Sequence, residues 1–182
     1  MCTNKKYNKI QPRYSGEKIL NDLTIRFARP DEGALLLSFI KKLADYEKRL
    51  HEVIASEQDI IDVIFNRKIA EALIADYRDE PAGFAIFFYN FSTFTGKPGI
   101  YIEDLFVNPE IRGKGIGKLL FSYIAKIALE RKCSRVEWSV LKWNKPSIKF
   151  YSGMDATLKD EWVLYKLSGK ALRDIALLAK DF

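Results

Sequence analysis

Histidine and cysteine are scarce in this 182-residue sequence, with one His at position 51 and two Cys at positions 2 and 133. The cysteines stand far apart, and no metal-ligand spacing joins them to His51. A zinc site would therefore have too few ligands, and a Ser-His-Asp triad would rest on His51 alone. Free thiols suit a reducing compartment. With 10 Gly and 6 Pro, the chain is neither collagen-like nor, with 2 Cys, a disulfide framework. No apolar run approaches the length of a membrane span. The N-terminus is basic but lacks the apolar stretch of a secretory signal, so cytoplasm is the expected compartment.

What is present suits one globular domain: 48% of residues are hydrophobic and 13% aromatic. Basic residues exceed acidic ones by six, and half of that excess lies in residues 1–22, where Lys5, Lys6, Lys9, Arg13 and Lys18 face Glu17 and Asp22. This polar stretch, with Pro12 and Gly16, reads as a basic N-terminal extension to a folded domain over 23–182. The rest of the charge is spread thinly, so neither a nucleic-acid nor a membrane partner is expected.

Along the domain, Leu23–Ala28 alternates as a strand. A helix is predicted from about Asp31 to Glu47, and a short second one behind Ser56 and Asp59, which have capping-box spacing. Three strands follow, Ile69–Tyr77, Gly83–Phe91 and Pro98–Val107, with connections short enough for an antiparallel meander. A helical stripe runs from Ile116 to about Arg131. Arg135–Leu141 reads as a strand, Lys145–Tyr151 as a short helix behind Asn144, Trp162–Leu167 as a last strand, and Ser168–Lys180 as a last helix. The order β-α-α-β-β-β-α-β-α-β-α indicates a mixed α/β fold, a sheet covered by helices.

The most informative segment is Tyr101-Ile-Glu-Asp-Leu-Phe-Val-Asn-Pro-Glu-Ile-Arg-Gly-Lys-Gly-Ile-Gly-Lys118. A strand ends at Val107, Asn108-Pro109 turns the chain, and Arg112-Gly113-Lys114-Gly115-Ile116-Gly117-Lys118 enters a helix. Glycines allow close backbone approach, and consecutive amides beside a helix N-terminus bind phosphate. A Walker loop would need Gly at Arg112 and Ser or Thr at Leu119. A dinucleotide fingerprint would need Gly at Lys118. Glu103 and Asp104 interrupt an apolar strand, which is costly unless they have a task or an ion-pair partner. In a regular strand they point to opposite faces.

The sequence resembles the GCN5-related N-acetyltransferase (GNAT) superfamily, whose pyrophosphate motif is matched by Arg112, Gly115 and Gly117. It looks most like the diamine branch, the spermidine/spermine and thialysine N-acetyltransferases. The matching pieces are Leu43–Glu47, Tyr101–Asp104, Arg112–Gly117, Trp143-Asn144 with Pro146-Ser147, and Phe150-Tyr151. The resemblance implies a largely antiparallel mixed sheet, split by a V that takes acetyl-CoA and flanked by helices, with 23–182 as the acetyltransferase domain. No metal is implied.

By the same resemblance, the main chain of Leu105, Phe106 and Val107 pairs with the pantetheine arm. The amides of Arg112, Gly113, Lys114, Gly115, Ile116, Gly117 and Lys118 hold the pyrophosphate, and Asn144, Ser147 and Tyr151 complete the coenzyme site. Glu103 is the implied base and Tyr151 the implied acid. Tyr46, Glu47, Glu103, Asp104, Glu161 and Trp162 would receive the amine. An ion pair for Glu103 or Asp104, and plain packing or surface roles for Tyr151, Tyr46, Glu47, Glu161 and Trp162, stay open. The implied function is acetyl transfer from acetyl-CoA to a small-molecule primary amine, a diamine, polyamine or lysine-like amino acid, by a homodimer. A protein or peptide acceptor, or a non-catalytic acetyl-CoA sensor, are the alternatives. Two departures stand out. Phe91–Phe94 replaces the acidic-Trp loop of the polyamine enzymes, and Asp155 replaces a turn glycine beside Tyr151.

Overall fold

The structure is a computed structural model that describes residues 22–179. The expected basic extension lies outside the described residues, apart from Asp22. Two compact units divide the chain at Ser139/Val140.

In the first unit, β1 (Leu23–Phe27) leads through a 3-10 turn at Pro30–Glu32 into α1 (Gly33–Tyr46). Arg26 clamps this entry by reaching both Glu32, at 2.8 Å, and Asp76, at 2.6 Å. The short α2 (Glu57–Ile61) starts where expected: Ser56 and Asp59 exchange backbone bonds in a capping box. The chain then runs through β2 (Glu71–Tyr77), β3 (Glu80–Ser92), β4 (Lys97–Val107), α3 (Ile116–Glu130) and β5 (Val136–Trp138). The strands lie side by side in chain order. The meander is antiparallel, and only β4 and β5, joined by α3, run parallel.

Period-two alternation gives the sheet two apolar faces. Leu73, Phe87, Ile100 and Ile102 pack with Ile116, Leu120 and Ile124 of α3. Ile74, Phe84, Ile86 and Phe106 pack with Leu36 and Phe39 of α1, where Phe39 and Phe84 stack at 5.3 Å. The predicted strand Arg135–Leu141 shortens to Val136–Trp138, because the ladder to β4 ends at the Ile102–Trp138 pair. Beyond it, residues 103–107 of β4 have a strand neighbour on one side only, β3, among the described residues. This one-sided stretch is the opening expected of the split sheet.

The second unit holds α4 (Lys145–Ser152) and α5 (Gly169–Leu177). Asn144 caps α4, its side chain accepting from the Ser147 amide. The predicted strand Trp162–Leu167 does not form. Its alternation is real, but none of these residues joins a ladder among the described residues, and Trp162 to Tyr165 stand 74–89% exposed. A strand without a neighbour has nowhere to place its amides and carbonyls except water. Ser168 precedes α5 but makes no side-chain cap. No helix among the described residues is long and apolar enough to cross a membrane.

Candidate active site

The two adjacent acids on β4 are placed by a bulge. Ile86 of β3 pairs with Asp104, and the next residue, Phe87, pairs with Ile102, which leaves Glu103 as an extra residue. The sheet faces confirm the inserted residue. Ile102 lies in the α3-side core and Phe106 in the α1-side core, although they are four positions apart, an even offset that would put them on one face of a regular strand. The regular strand that would send Glu103 and Asp104 to opposite faces is therefore interrupted at this point. Glu103 is exposed on the bulge. Asp104 shares the α1-side face with its cross-strand partner Ile86 and with Phe106. Tyr101 stacks on Phe88 at 5.3 Å, and its hydroxyl lies 2.6 Å from Ser139 Oγ.

Asp104 is half-buried and makes no ion pair among the described residues. Burial, with the like charges of Glu103 and then Glu47 added, pushes its carboxyl from the ordinary 3.8 up to about 7. Glu47, at the end of α1, is itself half-buried and raised by burial. Tyr46 beside it carries the Arg112 guanidinium over its ring, 4.6 Å from the centroid. An aromatic ring and three carboxyl groups thus belong to one region, which suits an alkyl ammonium.

The turn after β4 has the form that its glycines require. A 3-10 turn over Pro109–Ile111 leads to Arg112, after which Gly113 and Gly115 take φ of +81° and +80°. A Cβ added at either would meet nothing within 4 Å, so open space lies over the backbone. The first helical bond of α3 runs from the Leu119 amide to the Gly115 carbonyl, so the amides of Ile116, Gly117 and Lys118 have no acceptor within the helix. An anion there meets several amides and the positive end of a 15-residue helix. The residues present therefore fit a pyrophosphate. Two basic side chains of the loop turn aside. Arg112 Nε donates to the Val107 carbonyl at 3.0 Å, and Lys114 lies over the Tyr77 ring at 4.8 Å.

Tyr151 lies in α4 of the second unit, with its ring 5.1 Å from Phe150. Burial pushes its hydroxyl up to about 12. Asn144 is buried and Ser147 half-buried. Asp155 takes φ of +55°, a left-handed backbone that favours glycine. Glu161 and Trp162 are both exposed, and Glu161 pairs with Lys159 at 3.7 Å.

Sequence reasoning passed over the bulge. The signal was there: Ile100, Ile102, Leu105 and Val107 face α3 with spacings of two, three and two.

The pattern of the family described as Acetyltransferase (GNAT) family matches residues 38–155. The mouse (Mus musculus) thialysine N-epsilon-acetyltransferase is 31% identical over 164 residues, 84% of this chain and 96% of the relative. The L-ornithine N5-acetyltransferase of Arabidopsis thaliana is 30% identical, over 83% of this chain and 86% of the relative. Among solved structures, an integron cassette protein from the mobile metagenome of V. cholerae superposes with a TM-score of 0.72. It is 28% identical, and the match covers 85% of this chain and 98% of that one.

Proposed function

The chain belongs to the acetyltransferase (GNAT) family, and from that premise we propose that it transfers the acetyl group of acetyl-CoA to a primary amine of a small molecule. The observation that carries this reading is the pair of left-handed glycines, Gly113 and Gly115, with open space beside amides that have no acceptor within α3, at the end of the one-sided stretch of β4. The main chain of Leu105, Phe106 and Val107 would take the pantetheine arm, the amides from Gly113 to Lys118 the pyrophosphate, and Asn144, Ser147 and Tyr151 the rest of the coenzyme. The Arg112 amide, expected to join the pyrophosphate set, already donates to the Pro109 carbonyl at 3.3 Å.

Acetyl-CoA supplies an activated thioester. The chain must do three things: attract an ammonium, remove its proton, and return a proton to the departing sulfur. The carboxylates of Glu47 and Glu103 attract the cation, with Tyr46 as an aromatic wall and Glu161 and Trp162 as further contacts. The Asp104 carboxyl, with its pKa raised to about 7, adds only part of a charge at neutral pH. Glu103, exposed on the bulge, takes the amine proton through water. Tyr151 donates its phenolic proton to the sulfur, and its raised pKa keeps that proton in place at neutral pH. The acceptor is a lysine-like amino acid side chain, since two relatives are named for thialysine and ornithine. The reading includes a cytoplasmic homodimer with no metal, nucleic-acid or membrane partner.

One observation favours a second choice of base. Burial and like charge hold Asp104 near neutral pKa, the condition that makes a carboxylate a good proton acceptor at pH 7. Initial rates of thiol release from acetyl-CoA decide both points, measured with thialysine, ornithine, diamines, polyamines and short peptides. Glu103→Gln should lower kcat by roughly 10²-fold or more if it is the base, and Asp104→Asn should do so if Asp104 is. Tyr151→Phe should lower kcat if the phenol is the acid. Turnover on peptides alone would move the acceptor to a protein, and coenzyme binding without turnover on any amine would make the chain a sensor.

A further inference from the structure

We infer that Arg112 is a positioning residue that ties the glycine loop to the end of α1, so that coenzyme bound on the loop is sensed at Tyr46 and Glu47. The inference rests on the reading above, in which the loop takes the coenzyme and the end of α1 takes the amine. A basic residue opening a phosphate motif is expected to aim its charge at phosphate. Here its Nε donates to the Val107 carbonyl, and its guanidinium lies 4.6 Å from the Tyr46 ring centroid and 5.3 Å from that of Phe106. The side chain faces the acceptor region, while the backbone one residue on begins the left-handed glycine turn.

The end of α1 is suited to respond. The Lys48 amide bonds to the Asp45 carbonyl and the Arg49 amide to the Ala44 carbonyl, closing the helix with Lys48 at φ of +61°. This closure favours glycine at that position, and lysine there is strained. A strained terminal turn opens locally at low cost. The loop is loose in a different way, since two glycines give it conformational freedom that an anion on its amides would remove. Fixing the loop fixes the Arg112 backbone and restricts its guanidinium to the Tyr46 face. That in turn holds the terminal turn of α1 closed. By linkage, an amine that orders Tyr46 and Glu47 strengthens coenzyme binding by the same factor.

The test is amide hydrogen exchange at Glu47, Lys48 and Arg49 in the full chain, without ligand and with CoA at a concentration shown by titration to saturate each variant. In the wild type, CoA should slow exchange at these amides by on the order of two- to fivefold, the range of an exposed cation–π contact. Arg112→Met should abolish the CoA-dependent slowing, and so should Tyr46→Leu. Tyr46→Phe keeps the ring and should keep the slowing, which a merely structural role for the tyrosine would not require. If Arg112→Met fails to fold, the two Tyr46 variants decide. Equal slowing in Arg112→Met or Tyr46→Leu overturns the inference, as does a wild type that binds CoA with no change at α1. A wild type that fails to bind CoA in the titration overturns the functional reading, and the inference with it.

Discussion

Removing the charge of Asp104 should stabilise this protein at alkaline pH and leave it unchanged in acid. In the folded chain Asp104 keeps its proton to about pH 7, whereas the unfolded chain releases it near 3.8. Between those values the folded state binds more protons than the unfolded one, so stability falls as pH rises. The loss is absent below about pH 4 and complete above about pH 7. At about 1.4 kcal/mol per pKa unit, the full difference is roughly 4 kcal/mol. Access of water to the partly exposed edge of the carboxyl lowers this, and about 2–4 kcal/mol is expected. Asp104→Asn removes the charge and its repulsion with Glu103 and Glu47. Its advantage over the wild type should be only about 0.5–1 kcal/mol at pH 4.5 and reach about 2–4 kcal/mol at pH 8, or about 5–12 °C in Tm for a chain of this size. Paired urea unfolding curves of the two proteins at pH 4.5, 6, 7 and 8 measure it. An advantage that is the same at every pH, or a variant less stable than wild type at pH 8, would refute the argument that burial and like charge hold the carboxyl protonated.

Three further outcomes follow from the backbone. Gly83→Ala should cost about 1–3 kcal/mol in urea unfolding, because a Cβ there would sit 2.5 Å from the Phe106 carbonyl oxygen and force β3 from β4. Lys48→Gly should gain about 0.5–1 kcal/mol in the same assay, since lysine holds a left-handed φ of +61°. Gly115→Ala meets no atom within 4 Å, so its stability cost should be only the conformational one of about 1 kcal/mol. Its Cβ would nonetheless stand in the open space over the amides, and calorimetric titration should show CoA affinity lowered about tenfold or more.

The parts of this protein legible in the sequence are those governed by local chemistry. Ser56 with Asp59, Asn144 before α4, and the glycines after Val107 each announce a backbone event within a few residues, and each occurs. The bulge is different. It exists because Ile86 pairs with Asp104 while Phe87 pairs with Ile102, a registration between strands that neither strand determines alone. Its trace was the spacing of three between Ile102 and Leu105. Trp162–Leu167 shows the converse. Alternation marks a segment able to pair, but pairing needs a neighbour, and no strand among the described residues takes that place. The tuning of Asp104 was likewise beyond sequence reasoning, because it depends on burial and on Glu47, which lies 57 positions away in the chain. Likewise, nothing in the order of residues puts the Arg112 guanidinium on the Tyr46 ring.

The central claim is acetyl transfer to an amine, and mass spectrometry of the products tests it most directly. Purified wild-type protein would be incubated with acetyl-CoA and, in separate reactions, thialysine, ornithine and spermidine. The account predicts a monoacetylated product from thialysine or ornithine, formed in step with free CoA. Free CoA with no acetylated amine in any reaction, or no consumption of acetyl-CoA at all, would contradict it.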